Sequence, residues 1–530
     1  MSAEMQFDVI VVGMGPTGLM AAAMLGRAGH RVAVVEKHPT LYGLPRAGHV
    51  DHEIVRMLQD LGVEQPFLDD AFAVEDYHWY NAERRTLLSF NFGGLAVSGF
   101  NSDYMMYQPV LEDALVTAIK RETDRVVMLL GREVTGLVQD EHGVAVELTR
   151  CESDGHGTLT RAGTPEVIRG RYLIAADGAR SSIREVCGIR RYAPMEFSST
   201  WLLVDVYVKR PLPKTNPHQV CDPRRPIFIG PLGLRHHRFE WCILPGEIPE
   251  SFLKPAKAWE MLADAGVGPD DVEIRRHQIY TFEAKVAESW RCGRILLAGD
   301  SVHTMPPFMG QGACSGMRDS VNLAWKLDLI LRGLASDSLL DSYQIERQPH
   351  THTWIELSVL AGEISCTLDP QKAAERDAAL LSGEAPPMPQ FPGLTVGILQ
   401  RAGNGASPAP AGELFLQRDV LVAGRTGRFD DLVGRGFLLI GRESDPCLHL
   451  SEEDAKFLHS LGTTVAWIAK DGKSTQSAFG DITGEYGKLF ERTGAVAILV
   501  RPDHYIFGAA RSEKELPTLV GQLIASLRSQ

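Results

Sequence analysis

The first 36 residues constrain the fold more than any other stretch of this 530-residue chain. Phe7 to Val12 reads as a buried parallel strand, and Gly13-Met14-Gly15-Pro16-Thr17-Gly18 follows at once. An Ala-rich helix then runs to Gly29, and Arg31 to Glu36 reads as a second buried strand ending in a carboxylate. Strand, glycine turn, helix and strand in this order form a parallel βαβ unit. The glycines permit a tight turn and let a pyrophosphate approach the backbone at the positive end of the helix dipole. Glu36, about 20 residues past the turn, is placed to bond a ribose diol and would repel a 2′-phosphate. The unit therefore suits FAD or NAD, and NADP does not fit here.

A second ligand-holding order lies between Arg294 and Leu327. A short strand ends at Ala298-Gly299-Asp300, and a loop with Pro306-Pro307 and Gly310-Gln311-Gly312 opens a long helical pattern. Such a turn presents backbone N–H groups where the dipole favours an anion or an electron-rich ring edge.

Between these two units the pattern changes several times. An amphipathic helix is expected over Glu53 to Leu61, preceded by a loop in which Arg46 stands where a guanidinium could reach a nucleotide. Gln108 precedes a helix expected over Val110 to Arg121, and Glu133 to Thr149 alternates around a polar turn as an antiparallel hairpin. A short strand over Arg171 to Ala176 delivers Asp177-Gly178, with Arg180, Ser181 and Arg184 close behind. Residues 190–285 alternate as an antiparallel sheet would, with one side covering something. The aromatics Trp201, Tyr207, Phe228, Phe239 and Trp241 in that stretch form core or an apolar wall.

Helices are expected over Ala313 to Arg332 and Leu339 to Ile364. The expected division is a discontinuous nucleotide domain (1–189 and 286–366), a substrate sheet (190–285), a Pro/Gly-rich linker (367–411) and a small α/β domain (412–530). Pro386, Pro387, Pro389, Pro392, Pro408 and Pro410 give the linker its composition.

A net charge of −13 without any basic run argues against nucleic acid as a partner. The eight cysteines form no C-x-x-C pair, and no His cluster has metal-ligand spacing, so free thiols and no metal are expected. Neither a signal peptide nor an apolar run of about 18 residues is evident, which points to a soluble cytoplasmic protein without membrane partners. The oligomeric state stays open, a homodimer included.

Together, Gly13, Gly15 and Gly18 with Glu36, Asp177-Gly178, and Gly299-Asp300 followed by His303, Pro306-Pro307 and Gly310-Gln311-Gly312 resemble the class A flavoprotein aromatic hydroxylases. These are single-component FAD-dependent monooxygenases, and the resemblance spans the whole chain. The C-terminal part is similar to the thioredoxin-like extension of the phenol hydroxylase branch, without redox cysteines. Val220 to Pro226, Leu244 to Glu247 and Tyr280 to Phe282 look most like 3-(3-hydroxyphenyl)propionate hydroxylases.

The resemblance implies an α/β fold in which a Rossmann-like FAD domain of glutathione-reductase type interleaves with an antiparallel substrate sheet. It implies NADH or NADPH and O2 as co-substrates, a transient nicotinamide site, and oxygen transfer to a small phenolic ring through a flavin C4a-hydroperoxide. It assigns the pyrophosphate to Gly13, Gly15 and Gly18 and the adenosine ribose to Glu36, with Pro16, Thr17 and Lys37 also binding the cofactor. Arg46, Gln108, Val134, Asp177 and Gly178 would hold further parts of FAD, and Asp300 the ribityl chain. Pro307, Gly310, Gln311, Gly312, Ala313 and Cys314 would border the isoalloxazine. Cys314 stands where many relatives carry Asn. No base for the phenol is singled out: His49, Tyr107, Tyr207 and His303 are candidates, each of a type that also serves structure, and backbone carbonyls around Pro306 could orient a substrate hydroxyl. The same chemistry on a polyketide, antibiotic or other heteroaromatic ring is the main alternative. A FAD-dependent reductase or oxidase and a non-enzymatic binder are the others.

Overall fold

The structure is a computed structural model that describes residues 5–153, 159–212, 216–383, 391–470 and 474–528. Its central sheet is built outward from the opening strand, Met5–Val12, which pairs in parallel with Val32–Glu36 on one side and with Leu159–Ala175 on the other. Val126–Leu130 and Ile295–Leu297 extend the sheet in parallel. Val9, Ile10, Val11 and Val34 have no exposed surface, as expected of strands covered on both faces. Close packing dictates two of the fingerprint glycines. Gly13 adopts φ +104°, and a Cβ there would stand 2.3 Å from the Ala176 carbonyl oxygen; at Gly18 a Cβ would stand 1.9 Å from that of Gly13.

The strand expected over Arg171 to Ala176 is the end of a much longer one, Leu159–Ala175. Its first half pairs antiparallel with Val144–Ser153 of the hairpin, and its second half runs parallel to the opening strand. One strand thus joins the hairpin layer to the nucleotide sheet.

The covering sheet has seven strands, in the order Val272–Glu283, Ser198–Val208, His236–Cys242, Ile227–Leu232, His218–Val220, Asp76–Tyr80, Thr86–Asn91. The last two lie outside the expected 190–285 stretch, and Asp76–Tyr80 enters parallel to His218–Val220. A pairing across so long a loop leaves no local trace. On the outer face Leu202, Val204, Val206, Phe239 and Trp241 form a core with Phe252 and the helix Pro255–Asp264. The inner face turns toward the nucleotide domain.

The stretch expected as a linker contains a 12-residue helix, Pro370–Leu381, whose N-cap Asp369 accepts from the backbone N–H groups of Gln371 and Lys372. Pro386, Pro387 and Pro389 lie outside the described residues. The C-terminal sheet runs Ala478–Phe479, Thr464–Ile468, Leu438–Gly441, Ala497–Val500, Ile506–Ala510, parallel in its first half and antiparallel in its second. This part docks through buried polar contacts. Arg56 donates to both oxygens of Asp430, 374 residues away, and His504 bonds Asp60 at 2.7 Å. Among the described residues no helix is long and apolar enough to cross a membrane.

Candidate active site

The two glycine turns meet at Thr17. A Cβ at Gly299 would stand 2.6 Å from Thr17 Oγ1 and one at Gly316 only 2.3 Å, so the Gly299-Asp300 turn and the helix Gln311–Leu331 both close onto the fingerprint. Glu36 accepts from the backbone N–H of Met14 at 3.1 Å and of His38 at 3.0 Å, bracing the turn it follows. Lys37 comes next in the chain, and Val134 lies in the neighbouring strand Arg132–Gln139. A Cβ at Gly15, where the first helix begins, would meet nothing within 4 Å, and the same holds at Gly178.

Two carboxylates in this cleft are short of partners. One oxygen of Asp177 accepts from the Ile183 N–H at 3.3 Å, while the other is buried with none. Desolvation raises the Asp177 pKa against the hydrogen bonds from Ser181 and Ile183. Asp300 opens onto the cleft and accepts no hydrogen bond from the described residues. Surrounding protein still raises its pKa, against the pull of His303, Arg46 and Arg191.

The helix Gln311–Leu331 starts from Gly310 in the left-handed conformation, φ +65°. His49 explains the glycine: a Cβ at Gly310 would lie 2.5 Å from its Nδ1. The same imidazole places Nδ1 3.2 Å from the Gly310 carbonyl and Nε2 2.7 Å from Asp103. Burial disfavours its charged form, but Asp103 and Cys314 outweigh that and raise the pKa well above the ordinary value. Cys314 is buried, with Sγ 3.7 Å from the Gly310 oxygen, and desolvation raises its pKa. Gly312 and Ala313 form the first helical turn, and a Cβ at Gly312 would meet only Met305 at 3.9 Å.

The other candidate residues scatter. Gln108 accepts from the N–H groups of Arg46 and Ala47 at 2.9 and 2.8 Å, which fixes that loop, and the Arg46 guanidinium lies 4.4 Å over the Tyr42 ring. His303 is fully buried beneath the turn, bonded to Asp319 at 2.7 Å, and Asp319 also receives Arg347 and the Gly299 N–H. Tyr107 stacks on His236 at 3.7 Å, with Tyr207 at 5.5 Å from the same ring. Pro306 and Pro307 lead a short 3-10 turn whose Phe308 sits between Phe197 and Trp201, at 5.8 and 5.9 Å.

The inner sheet face carries groups that the sequence reading missed. Asp205 and Arg238 face each other across paired strands, and the guanidinium binds both carboxylate oxygens at 2.6 and 3.0 Å. Arg238 also donates to the carbonyls of Arg46 and Pro45, as does Arg276 to Pro45. Glu240, two residues along, is buried and held up at about 7 by desolvation, against Arg238. The available signal was charge at alternate positions within apolar strands, Asp205 in one and Arg238 with Glu240 in another.

A family model described as FAD binding domain matches residues 6–358, and one described as HcaD C-terminal domain matches residues 412–526. The chain belongs to the FAD-dependent aromatic hydroxylases. Among curated members of the family it is 34% identical to a "Probable NADH-specific resorcinol 4-hydroxylase" of Rhodococcus jostii (strain RHA1), covering 98% of this chain and 95% of that one. It is 31% identical to a 3-(3-hydroxy-phenyl)propionate/3-hydroxycinnamic acid hydroxylase of Comamonas testosteroni, covering 98% and 97%. In fold it matches the flavin-dependent monooxygenase PieE, solved with FAD and substrate, with a TM-score of 0.80 at 23% identity over 99% of this chain and 100% of that one. This hydroxylase is thus a flavoprotein monooxygenase that uses FAD, a nicotinamide nucleotide and O2. The residues present fit the cofactor. The open space at Gly15 and Gly178 leaves room for close backbone approach, and Asp177 and Asp300 keep unused acceptor oxygens.

Proposed function

We propose that this hydroxylase adds oxygen to a small phenolic ring bound between the inner sheet face and the Pro306–Gly310 turn, with NADH as reductant. The observation that carries the reading is the meeting of three features: the Gly310 helix start, the unpartnered Asp300, and a sheet face bearing both aromatics and unpaired polar groups. Gly13, Gly15 and Gly18 would take the pyrophosphate. Glu36, already braced against Met14, would offer remaining acceptor capacity to the adenosine ribose. Asp300 would bind the ribityl hydroxyls, and Arg46 and Gln108 would shape the loop over the flavin. Bound FAD supplies the redox chemistry, accepting electrons from the nicotinamide and activating O2.

This chain's own residues then have three tasks. The helix starting at Gln311 would present its positive end to bound FAD and favour negative charge there. The half-buried His49, held by Asp103, adds positive charge beside the Gly310 carbonyl and fixes the turn. Phe308, Trp201 and Tyr280 exclude water from the reacting ring. His303, enclosed by Asp319 and Trp290, serves the turn and not the substrate. The NADH preference follows the R. jostii relative. Purified protein should be yellow, and a panel of phenols should include members that stimulate NADH oxidation and yield oxygen-18-labelled product from labelled O2. A colourless protein that FAD cannot reconstitute, or label found only in water and peroxide, would overturn this reading.

A further inference from the structure

The inner face of the seven-stranded sheet is satisfied in one lateral row and unsatisfied in the next. Strand residues two apart share a face, so Arg238, Glu240 and Cys242 all point inward from one strand. In the first row Asp205, Arg238 and Arg276 pair and bond the Pro45 and Arg46 carbonyls. In the third row Trp201, Cys242 and Tyr280 pack with Phe308 of the Pro306–Gly310 turn. Between them runs Trp79, Gln219, Phe228, Glu240, Leu203 and Gln278, directly opposite one another across six strands. Glu240 is 7% exposed, yet its carboxylate accepts no hydrogen bond from the described residues, and the nearest guanidinium nitrogen, on Arg238, is 3.7 Å away. In the same row Gln219 Nε2 is a buried donor without a partner among the described residues, and Trp79 packs edge-on against Tyr77. A buried carboxylate and an idle donor two strands along the same row each cost stability unless something supplies what each lacks.

We propose that Glu240 anchors the substrate, accepting the hydrogen bond and then the proton of a ring hydroxyl, and that the substrate is an uncharged phenol or diphenol without a carboxylate. The proposal rests on the hydroxylase reading above. In the step, the phenolic O–H bond breaks and an O–H bond forms on Glu240. The electron pair stays on the ring oxygen, which enriches the ortho and para carbons. Gln219, two strands along the row beyond Phe228, is placed to donate to a second ring oxygen. A carboxylate on the ring would confront the Glu240 anion, while the guanidiniums of this face are committed elsewhere, Nε of Arg276 excepted. The charged and titratable groups around Glu240 are Arg238, Asp205 and Tyr77, with Arg276 and Tyr280 in the flanking rows of the same sheet face. Burial dominates, with Asp205 adding to it and Arg238 opposing, so that Glu240 exchanges its proton in the neutral range where a general base works best.

The test uses FAD-loaded protein and two probes, resorcinol and 3-(3-hydroxyphenyl)propionate. Binding is followed by the change in flavin absorbance, and kcat and KM for NADH oxidation are measured from about pH 6 to about pH 9. Resorcinol should bind the wild type at least about tenfold more tightly than the acid. Glu240→Gln should weaken resorcinol by about tenfold or more, narrow the gap to the acid, and abolish the rising limb of kcat/KM near neutrality. Glu240→Asp should restore a limb at a shifted position. An unchanged KM and limb in Glu240→Gln, or in Glu240→Asp should the first variant not fold, overturns the proposal, as does tighter binding of the acid to the wild type. Protein that holds no FAD, or that responds to neither ring nor any other phenol, sinks the hydroxylase reading instead.

Discussion

Two buried polar networks flank the proposed flavin site, and they are built in opposite ways. Behind the helix Gln311–Leu331, Arg318 donates to Glu53, Asp51 and Gln311, and Tyr505 of the C-terminal hairpin closes the network with a 2.9 Å bond to Glu53. Farther along, Glu346 of the next helix, Asp341–Ser365, receives Arg501, the Ile398 N–H, and Lys326 and Asn322 of the first. In this network each charge meets its opposite, and Arg318 and Arg501 hold Asp51 and Glu346 far below the ordinary carboxylate range despite burial. On the inner sheet face, by contrast, Glu240 meets only Arg238, at 3.7 Å, and Gln219 Nε2 has no acceptor among the described residues. A saturated network fixes one arrangement; an unsaturated one is costly alone and becomes economical only with a ligand.

The sharpest break of this contrast is a matched pair of substitutions. Glu346→Gln leaves Arg501 and Lys326 buried with a weakened partner and should cost about 3–5 kcal/mol, read as a large fall in thermal midpoint. Glu240→Gln should do the reverse in the ligand-free protein. The Glu240 pKa is raised from 4.5 to about 7, so its native state binds more protons than its unfolded state between those values. Its contribution is therefore fully present below about pH 4.5 and lost as pH rises through about 7. A shift of that size corresponds to about 3 kcal/mol by pH 8, which Glu240→Gln should recover. Glu112, raised to about 7 by burial despite Gln108, contributes with the same sign, so the variant should flatten the pH dependence in part. Urea unfolding at pH 5 and pH 8 checks both; equal losses in the two variants would erase the distinction between the networks.

How legible each network is in the sequence follows from how local it is. The βαβ unit from Met5 to Glu36 and the Gly299–Gly312 turn are written in contiguous residues whose spacing fixes their geometry. Asp177 and Asp300 stand out because each ends a buried strand. The saturated network is different: Arg318 and Glu53 are 265 residues apart, Tyr505 and Glu53 452, and nothing near either residue marks its partner. Glu240 is hidden for another reason. In His237-Arg-Phe-Glu-Trp-Cys-Ile-Leu244 the alternation is visible, but which face meets solvent is decided by packing against the helix Pro255–Asp264 and by the nucleotide domain. The strands Asp76–Tyr80 and Thr86–Asn91 joined the same sheet unseen, because pairing with His218–Val220 depends on the folded nucleotide domain bringing them there.

Asp300→Ala probes the open side of the contrast through the cofactor. It removes a carboxylate with no protein donor to lose, so thermal stability of the flavin-free protein should hold or rise. FAD retention should weaken by about 1.5–3 kcal/mol, the value of a hydrogen bond to a charged group. Flavin absorbance per protein after dialysis measures this, and unchanged occupancy would refute the assignment of Asp300 to the ribityl chain.

Tyr505→Phe gives the smallest expected effect and separates two meanings of the saturated network. The phenol loses one hydrogen bond to Glu53, and Arg318 still neutralises that carboxylate, so the cost should be about 1 kcal/mol or somewhat more. If the network only holds domains together, the loss appears in the thermal midpoint and nowhere else. If it also sets the helix start, the path from Tyr505 through Glu53, Arg318 and Gln311 ends one residue from Gly310, and slackening it loosens the turn that His49 grips. The variant would then show raised H2O2 release per NADH consumed at unchanged FAD occupancy, because a loosened turn admits water to the reacting ring. Peroxide yield at wild-type level alongside a lowered midpoint would confine Tyr505 to domain docking.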